Sequence, residues 1–242
     1  METPEPLIHW FDRIPSTQDA AHQLAAEGAP AGTTVVAVEQ TAGRGSRGQR
    51  WHSARGGLWL SIICRPEASP APAALSLRAA LAVAGALETS GVPGVQVKWP
   101  NDLMLGGRKV GGILCEARWT GDALGWVVVG VGVNVRNPIA PELMRTAAAL
   151  GPLAPDLREG SLAMPVARAL AAIAPHAGRL DHGELAAFAE RDWLHGRQLA
   201  EPIAGTVDGV SSDGALRVRS AGAVQLVRAG PIVPAGASTL HA

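Results

Sequence analysis

The sequence has little of what several classes of protein require. It has no excess of charge, because 21 basic side chains stand against 21 acidic ones in 242 residues. No global field therefore draws it to nucleic acid or to a membrane surface, and any anion site must be local. It has no apolar run of membrane-spanning length, and its start, METPEPLIHW, is acidic and carries prolines. Neither a spanning helix nor a secretory signal is read there, so a cytoplasmic protein with no membrane partner is expected. It has two cysteines, Cys64 and Cys115, both inside apolar strand-like runs. That placement predicts reduced, buried thiols rather than a disulfide or a nucleophile, and no Cys/His spacing suits a metal. Lysine is scarcest of all. Of the 21 basic residues 19 are arginine, and the only two lysines, Lys98 and Lys109, lie 11 positions apart. A compact ammonium differs from a planar guanidinium, so the pair is a hint that something there resists replacement.

What the chain does have is 47% hydrophobic residues, enough to bury the core of one large domain or of a main domain with a small appendage. Its most conspicuous stretch is AGRGSRGQRWHS at 42–53, which contains Gly43-x-Gly45-x-x-Gly48 directly after the apolar run TTVVAVEQ. This is the glycine spacing of a dinucleotide-binding turn. That reading also needs a helix opening at the last glycine and an acidic residue roughly 20 positions on. Neither follows; the chain runs instead into a second strand-like stretch, Leu58 to Cys64. The expected geometry is strand, glycine-rich loop, strand. The loop carries Arg44, Arg47 and Arg50 on a backbone free to fold around an anion, which reads as a mobile phosphate clamp.

Farther along, SLRAALAVAGALETSG at 76–91 places Leu77, Leu81 and Ala84 on one helical face and ends at Gly91. VQVKWPNDLML, RKVGGILCEARW and WVVVGVGVNV alternate β-branched runs with glycine or Asn-Asp punctuation and predict adjacent strands. A proline-dotted loop with a short helix is expected from Pro138 to Pro155. A second helix follows, with Leu162, Val166, Leu170 and Ile173 on one face and Ser161 as its N-cap. After a short helix in GELAAFAERDWL the composition changes, near residue 196, to short β-like pieces that suggest a small terminal barrel.

Three further constellations bear on chemistry. Lys98, Asn101, Asp102 and Lys109 crowd a turn between two strands, where a carboxylate, an amide and two ammoniums could hold a metal-bound phosphate ester. A plain Pro-Asn-Asp turn and a Gly-Gly-Arg hairpin with solvated charges fit the same residues. In VVVGVGVNV, Gly130 and Gly132 interrupt a strand, as glycines do where a ligand or another backbone comes close, and Asn134 follows within reach; tight packing is the alternative. Ser16 and Thr17 precede a helix, where capping alone would account for them.

In their order and spacing these pieces resemble one family, the biotin protein ligases. The matching segments are Ser16-Thr17, EQTAGRGSRGQRW at 39–51, GGLWLS at 56–61, KWPNDL at 98–103, RKVGGILCE at 108–116 and GVGVNV at 130–135. The resemblance implies an α+β fold: a mixed β-sheet catalytic domain flanked by helices over 1–195, of the class II aminoacyl-tRNA synthetase-like type, and an SH3-like β-barrel over 196–242. It implies that Ser16, Thr17, Gln18 and Gln40 line a biotin pocket walled by Gly130 and Gly132. Gly43, Arg44, Gly45, Ser46 and Arg47 would form a loop over the activated intermediate, anchored by Trp51. Lys109 would hold the biotin carboxylate and then the adenylate phosphate, and Asn101 with Asp102 would place ATP, magnesium and the incoming lysine. Lys98, Gly112 and Asn134 would complete the substrate site.

The implied reaction makes biotinyl-adenylate from biotin and ATP. It then transfers the acyl group to a lysine in the biotin carboxyl carrier domain of acetyl-CoA carboxylase or a related carboxylase. Family members often carry arginine where Ser46 and Gln49 stand, so weaker retention of the adenylate is expected. Because the ligase-like region begins by about residue 7, no helix-turn-helix domain and no operator binding are expected. The resemblance admits a homodimer, although no stretch forces one. A lipoate ligase or octanoyl transferase is the nearest rival, against which KWPNDL and GRGSRG favour biotin; a nonenzymatic sensor would need a partner-reading module that is not seen.

Overall fold

The computed structural model describes residues 6–66, 71–173 and 178–235. Its main sheet has seven strands: β1 (Ile8–Ile14), β2 (Thr34–Gln40), β3 (Leu58–Cys64), β4 (Gln96–Lys98), β5 (Asp102–Leu105), β6 (Arg108–Thr120) and β7 (Ala123–Val133). Their spatial order is β1-β2-β3-β7-β6-β5-β4. β1 runs parallel to β2 and every other neighbouring pair is antiparallel, so the sheet is mixed. The strand, loop, strand geometry expected around the glycine-rich stretch is present, since β2 leads through that loop into β3.

Strand alternation sorts the side chains onto two faces. Leu58, Leu60 and Ile62 of β3 and Val127, Val129, Val131 and Val133 of β7 enter the main core, under helices α2 (Pro72–Thr89) and α3 (Glu159–Ile173). α2 is rich in Ala and Leu, opens with proline in its first turn, and stops before Gly91, whose φ of +90° ends the helix at no steric cost. The opposite face is covered by α1 (Thr17–Ala26), where Ala21 and Ala25 meet Val35, Ile63 and Val128. α1 is short, so part of that face is left for a site.

The structure corrects several sequence expectations. The edge strand β1 was not anticipated. α2 begins four residues before Ser76, and α3 opens at Glu159, so Ser161 lies inside it; its hydroxyl donates to Arg158 O at 2.7 Å rather than capping the helix. The loop from Pro138 to Pro155 holds a short helix, as expected, a single turn over Pro141–Leu143. The next helix, α4 (His182–Arg191), is capped by Asp181 with Glu184 completing a capping box.

Beyond α4 lies a second, antiparallel sheet of β8 (Gln198–Glu201), β9 (Gly205–Val210), β10 (Leu216–Ser220), β11 (Ala223–Val227) and β12 (Val233–Pro234), in the order β11-β10-β9-β8-β12. The edge strands β11 and β12 do not pair with each other among the described residues, so the expected closed barrel is not found there; residues 236–242 lie outside the described set. This sheet shares the main core through Val207, Leu216 and Val218. Trp99, buried to 1% exposure, donates its indole N–H to Gly214 O at 2.8 Å and so ties the β4–β5 turn to the small sheet.

Candidate active site

The face of the sheet left open by α1 carries small residues in register. Ser61 of β3 stands opposite Gly130 of β7, which stands opposite Leu114 of β6; in the next row Trp59, Gly132 and Gly112 are aligned. A glycine in a strand weakens it unless something fills the space where the side chain would be. Here side chains do. A Cβ on Gly130 would lie 2.6 Å from Gln18 Oε1, and one on Gly132 would lie 2.6 Å from Trp51 Nε1. The two glycines therefore make a hollow, entered by Gln18 from α1 and by Trp51 from the end of the glycine-rich loop.

A chain of side-chain hydrogen bonds fixes the inner wall. Gln18 Nε2 donates to Val128 O at 3.1 Å, and Ser61 Oγ donates to Gln18 Oε1 at 3.0 Å. Ser61 Oγ lies 2.9 Å from Thr17 Oγ1, and Gln40 Oε1 accepts from Thr17 N at 2.8 Å and Thr17 Oγ1 at 3.0 Å. Gln40 Nε2 in turn donates to Ser53 Oγ at 2.8 Å. The Thr17 and Ser61 hydroxyls have one proton each, yet their bonds to the two Gln oxygens and to each other need three. One of the three contacts therefore carries no proton, and the wall presents oxygen lone pairs that can accept from a ligand. Ser16 caps α1, its Oγ accepting from Gln18 N at 3.2 Å, so capping and pocket-lining coincide in one residue.

The hollow encloses about 500 Å³ free of protein atoms, counted out to solvent. It opens into a wider cleft of about 1720 Å³ between the glycine-rich loop, the β4–β5 turn, the loop at 138–147 and the end of the small sheet. Gly45, Ser46, Trp51, Asn101 and Lys109 belong to both. Lys109 stands at the junction: its Nζ is 2.5 Å from Asp102 Oδ1 and 5.1 Å from the centre of the Trp51 ring. Gly112 lies beneath both groups, and a Cβ there would be in ordinary van der Waals contact, 3.5 Å from Lys109 Cε and from Trp51 Cζ3. Asn101 Nδ2 donates to Ile113 O at 2.6 Å and fixes the turn that carries Asp102.

The wider cleft is lined by Arg47, Arg50, Lys98, Lys109 and Arg145 against one carboxylate, Asp102. Such a lining favours an anion. Lys98 lies 5.3 Å from the Trp193 ring centre; burial pushes its ammonium below the ordinary lysine range, with Asp102 opposing the shift. Asn134, expected beside Gly130 and Gly132, lines this outer cleft instead and accepts from Asn137 Nδ2 at 3.1 Å.

The glycine-rich loop is folded into a miniature hairpin. Trp51 N donates to Gly43 O at 2.9 Å and Gly45 N to Gln49 O at 2.7 Å, with Arg47 at φ +59° and Gly48 at φ +75° making the tip. Gly43 is required by close approach, because a Cβ there would meet Trp51 O at 2.7 Å. The three arginines differ in situation. Arg47 and Arg50 line the wider cleft, whereas Arg44 is paired with Asp19 of α1 through bonds of 2.6 and 2.8 Å. That pairing holds the Asp19 carboxyl below its usual range.

Sequence reasoning gave no site role to Ser61, Ser53, Asp19 or the expected loop at 138–147. Ser61 alone left a signal, a hydroxyl inside the otherwise apolar strand LWLSIIC.

The family model described as "Biotin/lipoate A/B protein ligase family" matches residues 10–134, which take in the whole inner pocket.

The chain belongs to the biotin/lipoate A/B protein ligase family.

Among relatives of this chain, the bifunctional ligase/repressor BirA of Bacillus spizizenii is 44% identical over 128 residues, 52% of this chain and 39% of that protein. The biotin–[acetyl-CoA-carboxylase] ligase of Paracoccus denitrificans is 41% identical over 126 residues, 51% of this chain and 52% of that protein. The match thus spans about half or less of each relative. The solved biotin protein ligase of Aquifex aeolicus, in complex with biotin and ATP, aligns over 94% of this chain and 98% of its own, with a TM-score of 0.80 and 25% identity.

Proposed function

We propose that the protein activates biotin with ATP as biotinyl-adenylate and transfers the biotinyl group to a lysine of the biotin carboxyl carrier domain of a carboxylase. The observation that carries the reading is the position of Lys109, between a hollow lined mostly by uncharged polar groups and a wider, cationic cleft. Biotin's ureido ring has two N–H donors, which suit a wall of hydroxyl and amide oxygens, and its fused thioether ring is apolar, which suits Gly130, Gly132 and the Trp51 face. The valeryl carboxylate then reaches Lys109, and the nucleotide lies in the wider cleft. The Paracoccus relative's name and the biotin and ATP in the Aquifex complex support both substrates and the carboxylase carrier.

A carboxylate is a poor electrophile, and activation converts it into a mixed anhydride. The carboxylate oxygen attacks the α-phosphorus, pyrophosphate leaves, and negative charge crowds the phosphate as this happens. Lys109, with Arg47 and Arg50 nearby, offsets that charge from fixed positions. Asp102 is the one carboxylate lining the cleft, and one carboxylate together with substrate phosphates is a donor set magnesium accepts; Asp102 would hold the ion, whose charge would help offset that of the phosphates. In the second step the carrier lysine attacks the acyl carbon and AMP leaves. That lysine has a reference pKa of about 10.4, so deprotonation at neutral pH costs about 4 to 5 kcal/mol. In this reading Asp102 would accept that proton as attack proceeds. The anhydride hydrolyses readily, and the hairpin loop over the pocket excludes water from it.

The C-terminal sheet serves in this reading as the family's SH3-like domain, with its boundary near residue 196. The test is exchange of labelled pyrophosphate into ATP. Exchange that needs biotin and is not supported by lipoate is expected, whereas exchange driven by lipoate or octanoate alone would move the protein to the sister activity.

A further inference from the structure

Asp19 lies in the first turn of α1, two residues after Thr17 and one after Gln18, both in the ligand wall. Its carboxylate receives both terminal nitrogens of Arg44, at 2.8 and 2.6 Å, and this is the glycine-rich loop's side-chain tie to the helix. A second carboxylate backs the same guanidinium: Glu116 Oε2 of β6 lies 3.7 Å from Arg44 Nη2. Glu116 is itself held by His22 of α1, whose Nε2 is 3.3 Å away and whose Nδ1 accepts the Trp126 indole N–H at 2.9 Å. With Nδ1 an acceptor, the ring proton sits on Nε2 and is donated to Glu116. The backbone on either side of Arg44 closes the hairpin, so a guanidinium fixed here fixes Gly43, Gly45 and, through Gly43 O, the Trp51 amide.

We propose that Asp19, backed by Glu116, is a positioning residue that holds the glycine-rich loop over the pocket through Arg44 and so sets how long the activated intermediate is retained. The loop-holding part stands on geometry alone; the retention part rests on the ligase reading. A bidentate guanidinium–carboxylate pair fixes orientation as well as distance, which a lysine or a single hydrogen bond cannot do. The pair is half exposed, with side-chain exposures of 36% for Arg44 and 54% for Asp19, so its effect is local to the loop rather than global.

The test is amide hydrogen exchange on the full chain without ligand, comparing wild type, Asp19→Asn, Arg44→Lys and the charge reversal Asp19→Arg with Arg44→Asp. Exchange at Gly45 and Trp51 is expected to quicken on the order of three- to tenfold in both single variants and to return toward wild type in the reversal, with exchange across β7 unchanged. Biotinyl-adenylate release, followed by rapid quench, is expected to quicken by the same factor. Unchanged loop exchange in Asp19→Asn and Arg44→Lys would overturn the proposal. So would loss of protection throughout α1 and β7, which would mark a general structural role. Faster loop exchange with unaltered release would remove the retention part, and absence of any adenylate would reject the ligase reading while leaving the exchange result to decide the latch.

Discussion

The Trp51 indole lies directly across Gly132, so that a Cβ built on Gly132 would stand 2.6 Å from Nε1 and 2.7 Å from Cε2. The two residues come from different elements, a loop and the middle of the sheet, and the floor of the pocket exists because one of them has no side chain. Gly132→Ala is therefore expected to displace the indole and weaken biotin binding by about tenfold or more, with a smaller loss of stability. Titration calorimetry with biotin checks this. Unaltered affinity would mean that Trp51 moves aside freely and does not shape the pocket.

Lys109 serves both the carboxylate and the phosphate in the proposed chemistry, while its partner Asp102 positions it, would hold the metal and would accept the carrier lysine's proton. Lys109→Ala is expected to reduce biotin-dependent pyrophosphate exchange by roughly 10² to 10³, the range for removing a positioned charge donor. The urea midpoint should change little, because the ion pair is partly solvated. Exchange within a few-fold of wild type would shift the role to Arg47 or Arg50.

Arg47 occupies the left-handed tip of the hairpin at φ +59° and lines the wider cleft without a part in the Asp19 tie. Arg47→Ala is expected to leave the fold intact and to increase escape of biotinyl-adenylate several-fold. Rapid-quench measurement of released adenylate decides it, and unchanged release would count against an electrostatic clamp.

Burial, then the nearby Arg118, pushes the His22 pKa below its ordinary 6.5. Because the native pKa is the lower one, the unfolded chain binds more protons between the two values, and stability rises with pH there. The contribution of neutral His22 is complete above about pH 6.5 and is lost as pH falls through the lowered native value. His22→Gln is expected to flatten the decline in urea midpoint between pH 7 and pH 5. A nuclear magnetic resonance titration placing the His22 midpoint at or above 6.5 would contradict this.

How much of this was legible beforehand depended on whether the signal was local. β2, β3 and the strands from β4 to β7 are β-branched runs with turn punctuation, and they were readable as such. β1, IHWFDRI, was not, because it is an edge strand with Trp10 54% exposed and lacks the apolar alternation of a half-buried strand. Ser161 was misread as a cap because helix starts are weakly marked and α3 opens a turn earlier.

In the site, Gly130, Gly132, Gln18 and Lys109 came from motifs whose order carried the family resemblance. Ser61 acquires its meaning only from register, opposite Gly130, and Asp19 only from a partner 25 positions away. Neither relationship is written in local sequence. The glycine-rich loop illustrates the same limit: its glycines and arginines were evident, yet the chain alone did not distinguish the arginine that ties the loop down from the two that face the cleft.

The most direct test of the proposed activity is intact-mass spectrometry of a biotin carrier domain and a lipoyl domain, incubated together with this protein, ATP, magnesium and equal biotin and lipoate. A biotinyl adduct on the carrier domain alone is expected. A lipoyl adduct on the lipoyl domain, or no adduct on either with no pyrophosphate released, would contradict the proposed activity.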